Sequence, residues 1–171
     1  MKMRAIFAIV VLVCSAVVSA SGQTQEIKGK KMPKEELEQL MNEVLPFAQK
    51  MLKDYGEFYP YGGFINSKGE IVFSGAHDGN EHPSSKDLID LMTKAFQTAA
   101  KSGECRATAI MYDSRIIPPG STQKSDAIAI NLDHADGLSI IVFLPYQIKE
   151  KGNVIYGEMF AQKGESKIFG K

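Results

Sequence analysis

The chain has 171 residues, of which 44% are hydrophobic, and its 20 basic residues balance its 20 acidic residues. Because the charges are balanced and no basic cluster occurs, the sequence lacks the electrostatic surface of a nucleic-acid-binding domain. Of the two cysteines, Cys14 lies in an N-terminal segment that we expect to be removed, and the remaining Cys105 cannot form a disulfide within its own chain, so the fold must depend on a hydrophobic core.

The first 20 residues have the pattern of a signal peptide. Lys2 and Arg4 form a basic start, an apolar run covers residues 5–18, and small residues lead up to Ala20. The run is shorter than the roughly 20 apolar residues that span a bilayer, which favours a cleaved signal over a retained anchor. We predict export to the periplasm or the medium, with cleavage after Ala20 or after Gly22 and no membrane attachment afterwards.

Cleavage after Ala20 leaves 151 residues, a length that suits one domain. Two basic residues are lost with the signal, so 18 basic and 20 acidic residues remain and the net charge becomes −2. Residues 21–32 are polar and aperiodic, and we predict a flexible tether there. The remaining residues, 33–171, are predicted to form a single domain.

Two segments have helical periodicity. In the first, from residue 33 to about residue 55, apolar residues recur every three or four positions. Pro46 lies inside this pattern and predicts a kink or a division of the helix, because proline lacks the N–H that the helix needs. The second helix is predicted to begin at Ser84 or Ser85, with Ser84 as a cap, and to end before residue 103.

Six segments have the composition of strands. They cover residues 58–65, 70–74, 106–117, 126–133, 138–146 and 154–161. Short turns between them favour antiparallel neighbours. The sequence therefore predicts an α+β fold with a single antiparallel sheet of five or six strands and two main helices, in the order α-β-β-α-β-β-β-β. We expect both helices to pack against one face of the sheet, and the arrangement resembles profilin-like and roadblock-like modules by analogy only.

The loop HDGNEH, residues 77–82, is rich in metal-ligating residue types. Imidazole and carboxylate groups suit zinc, so His77, Asp78 and His82 are candidate ligands of a zinc-like divalent ion. The spacing matches no familiar metal site, and a solvated polar loop before a helix explains the same residues. Both interpretations stay open.

Aromatic residues cluster around the start of the first predicted strand. Tyr59 and Tyr61 combine an apolar ring with a polar tip, a combination typical of ligand pockets and interfaces. Such residues also occur at the rim of a core, where a helix meets a sheet. Tyr59 and Tyr61 are therefore candidate ligand-binding residues, with a structural role as the alternative.

We assign no catalytic residue. Ser114 stands between Asp113 and Arg115 but lacks the Gly-x-Ser-x-Gly turn that exposes a nucleophile, and a strand end with a surface ion pair explains this segment. Cys105 and His134 could supply a thiol and an imidazole. However, Cys105 begins a strand whose same-face positions are small or apolar, which is typical of a buried core residue.

Six short strings are distributed over the predicted domain. They are EFYPYGG (57–63), YDSRIIPPG (112–120), KSDAI (124–128), DHADG (133–137), LPY (144–146) and YGEMFA (156–161). These strings resemble those of a family of small bacterial proteins without an assigned function. The resemblance covers about residues 35–170, implies a single domain, and supplies no catalytic residue. Most members lack an export signal, so residues 1–32 depart from the family.

These features favour an exported, non-catalytic binding or protein-interaction domain. A protein partner or a second copy is expected to bind through the sheet, because edge strands offer free backbone groups. The alternative function is a small exported metal-dependent hydrolase that uses the loop from His77 to His82.

Overall fold

The computed structural model describes residues 31–77, 79–80, 82–150 and 152–170. The helices are α1 (Pro33–Tyr55) and α2 (Ser85–Lys101). The strands are β1 (Tyr61–Asn66), β2 (Ile71–Gly75), β3 (Cys105–Ile116), β4 (Ser125–His134), β5 (Ser139–Glu150), β6 (Asn153–Tyr156) and β7 (Phe160–Lys163). The predicted signal peptide and most of the predicted tether fall on residues 1–30, which lie outside the described residues.

The described strands form one antiparallel sheet. Their order is β2-β1-β3-β4-β5-β6, and β7 also pairs with β5. This confirms the predicted α+β fold with two helices and a single antiparallel sheet. The described sheet has seven strands rather than five or six because the last predicted strand, residues 154–161, is divided into β6 and β7.

Pro145 explains this division. Gly157, which lies between β6 and β7, donates its N–H to the carbonyl oxygen of Pro145 at 2.8 Å. The backbone of Pro145 therefore faces the outer edge of β5, and on that side proline has no N–H to donate. The outer chain loses a ladder bond at this point and pairs with β5 in two pieces, β6 and β7.

The two helices lie on opposite faces of the sheet. Along β3, Ala109 and Met111 belong to the core beneath α1, whereas Ile110 packs with Phe96 of α2. Successive residues of a strand point to opposite faces, so these contacts place α1 on one face and α2 on the other. The expectation that both helices share a face was wrong.

The connection between β2 and β3 accounts for this arrangement. These two strands run parallel on either side of β1, so α2 is a crossover connection, and the chirality of such connections fixes the face on which the helix lies. The central strands carry buried apolar side chains on both faces, so each face needs a cover. In β5, Val142 belongs to the core beneath α1, while Phe143 is buried on the other face with its ring stacked on Phe160.

Candidate ligand-binding groove

A groove of about 390 Å³ opens on the α2 face of the sheet. Strands β3, β4 and β5 form its floor, and α2 forms one wall through Ile89, Asp90 and Thr93. Another wall includes β7 and the C-terminal segment, which we define as residues 164–170. The volume lies in the lower part of the range for small-molecule sites, about 300–1,000 Å³.

Polar side chains occupy the floor of the groove. In the pairing of β3 with β4, Thr108 lies opposite Asp133 and Ile110 lies opposite Asn131, so all four point to the α2 face. The hydroxyl of Tyr112 donates a hydrogen bond to Oδ1 of Asn131 at 3.3 Å. Burial raises the pKa of Tyr112, so its hydroxyl remains a hydrogen-bond donor at neutral pH.

Asp133 holds the C-terminal segment in place. Its Oδ1 accepts a hydrogen bond from the hydroxyl of Ser166 at 2.9 Å, and its Oδ2 accepts one from the backbone N–H of Ile168 at 2.9 Å. On the other side of the segment, Nε2 of Gln97 donates to the carbonyl oxygen of Lys167 at 2.8 Å. The segment is therefore attached both to the sheet and to α2, which makes it a defined wall of the groove.

Charged side chains surround the opening. Lys163, Glu165 and Lys167 are exposed and line the wall that is formed by β7 and the C-terminal segment. On the α2 side, Asp90 is paired with Lys86. The hydrogen bond from Lys86 lowers the pKa of Asp90, and the charge of Lys167 acts in the same direction. The groove thus combines a polar floor with a rim that carries both signs of charge.

A larger cleft, of about 660 Å³, lies between the end of α1 and the turn from β5 to β6. Exposed residues of α1, among them Lys50, Lys53 and Asp54, form one side of it, and exposed Gly152 and Asn153 form the other. Exposed, solvated side chains give little fixed geometry to a ligand. The smaller groove, whose floor is a rigid sheet, is therefore the better candidate.

The two tyrosines predicted to bind a ligand occupy different environments. Tyr59 is 53% exposed, whereas Tyr61 is 7% exposed. The Tyr61 hydroxyl donates to the carbonyl oxygen of Val44 at 2.6 Å and accepts the backbone N–H of Ala48 at 2.9 Å. Tyr61 thus binds the backbone of α1 on either side of Pro46, and α1 continues through this proline as one helix. Neither tyrosine lines the groove, and ligand binding by this pair stays a prediction.

The predicted metal ligands lie in the loop between β2 and α2. His77 and His82 are both exposed, and Asp78 lies outside the described residues. Within the described ranges, no group of three or more His, Cys, Asp or Glu side chains is placed to hold a metal ion. Binding of a zinc-like ion, and the metal-dependent hydrolase that would need it, therefore stay predictions without a geometric observation in their favour.

The other residues considered for catalysis, Asp113, Cys105 and His134, each contact different partners. Asp113 accepts a hydrogen bond from the hydroxyl of Tyr146 at 2.9 Å, and burial raises the pKa of Asp113. Cys105 is buried, with its Sγ 3.8 Å from the carbonyl oxygen of Phe96, and burial raises the pKa of its thiol to about 11. His134 binds Glu36 on the α1 face. The structure therefore does not form a thiol–imidazole pair from Cys105 and His134.

The edges of the sheet are where we predicted that a protein partner or a second copy would bind. Strand β2 is an edge strand in the described sheet, and it exposes Val72 and Phe73, the latter by 54%. Exposed apolar residues on an edge strand are compatible with strand addition. The partner and the oligomeric state stay predictions.

A buried charge cluster beneath the start of α1 was not predicted from the sequence. Glu36 accepts hydrogen bonds from Arg106 of β3 and from His134 of β4. Nδ1 of His134 accepts the backbone N–H of Asp136 at 3.0 Å, which leaves the ring proton on Nε2 to donate to Glu36. Burial alone would raise the pKa of Glu36, but the hydrogen bonds from Arg106 and His134 and the positive charge of Arg106 outweigh it and hold this pKa below its usual value.

Sequence reasoning also missed the residues of the groove floor. One signal was present: Asn131 and Asp133 stand two positions apart in a strand of otherwise apolar residues, so they share one face. Two polar residues on one face of a central strand indicate a polar surface within the fold. The wall formed by α2 and residues 164–170 has no comparable signal, because those segments meet only in the folded chain.

Comparison of the chain with models of protein families, with curated proteins and with solved structures finds no match. The resemblance to a bacterial family therefore stays a prediction, and the argument for the groove depends on its geometry. In the described part of the chain, no helix combines the length and the apolar character that a membrane crossing requires.

Proposed function

We propose that this protein is an exported, non-catalytic binding domain that holds a small ligand in the groove between α2 and the C-terminal segment. The observation that carries the proposal is the polar floor of the groove, formed by Thr108, Tyr112, Asn131 and Asp133. A concave site with a few converging polar groups is the usual form of a small-molecule site.

The loss of folding stability that buried polar groups cause supports this function. Thr108 and Asp133 are buried in the described structure, and buried polar groups lower stability unless each finds a partner. The same face of β4 carries Ala127 and Ala129, which are buried and apolar. The fold therefore tolerates apolar residues on this face. Asp133 also has a structural role at the C-terminal segment, and ligand recognition accounts for the further polar groups of the floor, Thr108, Tyr112 and Asn131.

The chemistry of the lining favours binding over nucleophilic catalysis. The described lining residues supply hydroxyls, two amides, carboxylates and lysines, and they include neither Cys nor His. Asp133 uses both of its oxygens to hold the C-terminal segment. These groups are suited to orienting a ligand by hydrogen bonds and charge.

The experiment compares two substitutions in α2. Thr93 lines the groove and Thr98 does not, and each donates its hydroxyl to the carbonyl oxygen four residues earlier. We expect Thr93→Trp to abolish binding of small polar fragments in saturation-transfer NMR, because the indole fills the groove. Thr98→Trp should bind them as the wild type does. Equal binding by the two variants would contradict the proposal.

A further inference from the structure

Asp133 carries a buried negative charge at the floor of the groove. It is 5% exposed, and the two groups that donate to it, the Ser166 hydroxyl and the Ile168 N–H, are neutral. Among the described residues, no Lys, Arg or His nitrogen lies within 4.0 Å of its carboxylate. Neutral donors compensate a buried carboxylate only in part, so a cation that enters the groove is attracted to Asp133.

The opposite charge lies on the wall of the same groove. Lys163 and Lys167 line it beside Glu165, and neither lysine forms an ion pair within 4.0 Å among the described residues, although the charge of Lys167 acts on Asp90 of α2. These two lysines would repel a ligand that carried only an ammonium group. A ligand that also carries an anionic group has a partner of opposite charge for each of its two charged groups.

On the premise that the groove is the binding site, we propose that its ligand is a small zwitterion of the size of an amino acid or a dipeptide. Its ammonium group faces Asp133, and its anionic group faces Lys163 and Lys167. The Tyr112 hydroxyl and the Asn131 amide lie on the floor beside Asp133 and offer further hydrogen bonds to the ligand. The groove volume of about 390 Å³ accommodates a molecule of this size.

Three dipeptide probes of nearly equal shape test the two charges separately. They are alanyl-leucine, N-acetyl-alanyl-leucine, which lacks the ammonium group, and alanyl-leucine amide, which lacks the carboxylate. In isothermal titration calorimetry at low salt, we expect acetylation to weaken binding by about 10- to 100-fold, the usual effect of losing a hydrogen bond to a charged group. Amidation should weaken it by about two- to fivefold, because the lysines are exposed and screened.

Variants assign the effect to Asp133. Asp133→Asn should remove the preference for the free peptide over the acetylated one. Asp126→Asn is the matched control, because Asp126 lies on the same strand but its position in the alternation places it on the α1 face. Ser166→Ala removes one bond to the C-terminal segment and keeps the charge of Asp133, so it should keep the preference.

The outcomes separate this inference from the proposed function. If fragments bind in a manner that Thr93→Trp blocks, but acetylated and free peptide bind equally or no peptide binds, the zwitterion proposal is wrong and the groove remains a binding site. Ser166→Ala could lose the preference for the free over the acetylated peptide as fully as Asp133→Asn does. In that case Asp133 affects binding only by holding the C-terminal segment in place, and the zwitterion proposal is also wrong. If no binding responds to Thr93→Trp, both proposals fail.

Discussion

Arg106 binds both carboxylate oxygens of Glu36, with Nε 2.9 Å from Oε2 and Nη2 2.6 Å from Oε1. The two residues are 70 positions apart, and their contact joins the first turn of α1 to the start of β3. His134 adds a third hydrogen bond to Oε2 at 3.1 Å. Because the Glu36 carboxylate is nearly inaccessible to water, this cluster fixes the position of α1 on the sheet.

The cluster predicts a large loss of stability for Glu36→Gln. The substitution removes the negative charge that compensates Arg106. It also places the NH2 group of the new amide against N–H donors of Arg106 or His134, where it finds no acceptor. The free energy of unfolding should therefore fall by about 2–4 kcal/mol. Glu38→Gln is the matched control on the same helix, because Glu38 is exposed and its ion pair among the described residues is the solvated one with Lys34, and it should change stability by less than about 0.5 kcal/mol. Urea denaturation measures both, and equal losses would contradict the prediction.

The lowered pKa of Glu36 predicts acid sensitivity. A carboxylate whose pKa is lower in the folded state than in the unfolded state stabilises the fold above its unfolded pKa, here near 4.5, and this contribution is lost as the pH falls through the folded pKa. The difference in unfolding free energy between wild type and Glu36→Gln should therefore be constant near neutral pH and shrink below about pH 4.5. Denaturation curves between neutral pH and pH 3 measure it, and a difference that grows on acidification would oppose this assignment.

The hydroxyl of Tyr61 predicts a stability effect at the first helix. Tyr61→Phe removes the group that donates to Val44 and accepts from Ala48, so buried backbone groups of α1 lose a partner and stability should fall by about 1–3 kcal/mol. Tyr59→Phe, at an exposed tyrosine, should be nearly neutral. Thermal unfolding followed by circular dichroism compares the two. A neutral Tyr61→Phe would show that the helix does not depend on this hydroxyl.

Gly62 predicts a steric effect between α2 and the sheet. A Cβ at this position would lie 2.5 Å from the carbonyl oxygen of Ala109 and 3.2 Å from the ring of Phe96, so Gly62→Ala should lower stability by about 1–3 kcal/mol. Gly75→Ala serves as the control, because nothing lies within 4 Å of its Cβ position. Urea denaturation compares the two variants. A Gly62→Ala variant as stable as Gly75→Ala would show that the Ala109 carbonyl and the Phe96 ring do not crowd this position.

Export is testable from the product itself. Because Lys2 and Arg4 precede an apolar run that ends near Ala20, we expect the exported protein to begin at Ser21 or Gln23. N-terminal sequencing of material from the periplasm or the medium measures this. Recovery of the chain from the cytosol with Met1 or Lys2 at its start would contradict it.

Local patterns determined the type and order of the elements. The first helix was predicted for residues 33–55 and is observed at Pro33–Tyr55, because an apolar stripe at helical spacing is readable within one segment. The second helix begins after Ser84, whose Oγ accepts the N–H of Asp87 at 3.1 Å, as its position predicted. The last strand was predicted whole because its own residues favour β structure, whereas its division depends on Pro145 in the neighbouring strand.

By itself, therefore, the sequence determined an α+β domain with two helices and one antiparallel sheet, since those features arise from spacing within each segment. Only the tertiary structure decided which face each helix covers, that Tyr61 binds the backbone of α1, and that Glu36 meets His134 from 98 positions away. The groove was likewise decided by the tertiary structure, because α2, four strands of the sheet and the C-terminal segment all contribute residues to it. The physical reason is that such contacts depend on the packing of distant segments, and no pattern within one segment encodes which distant surface it will meet.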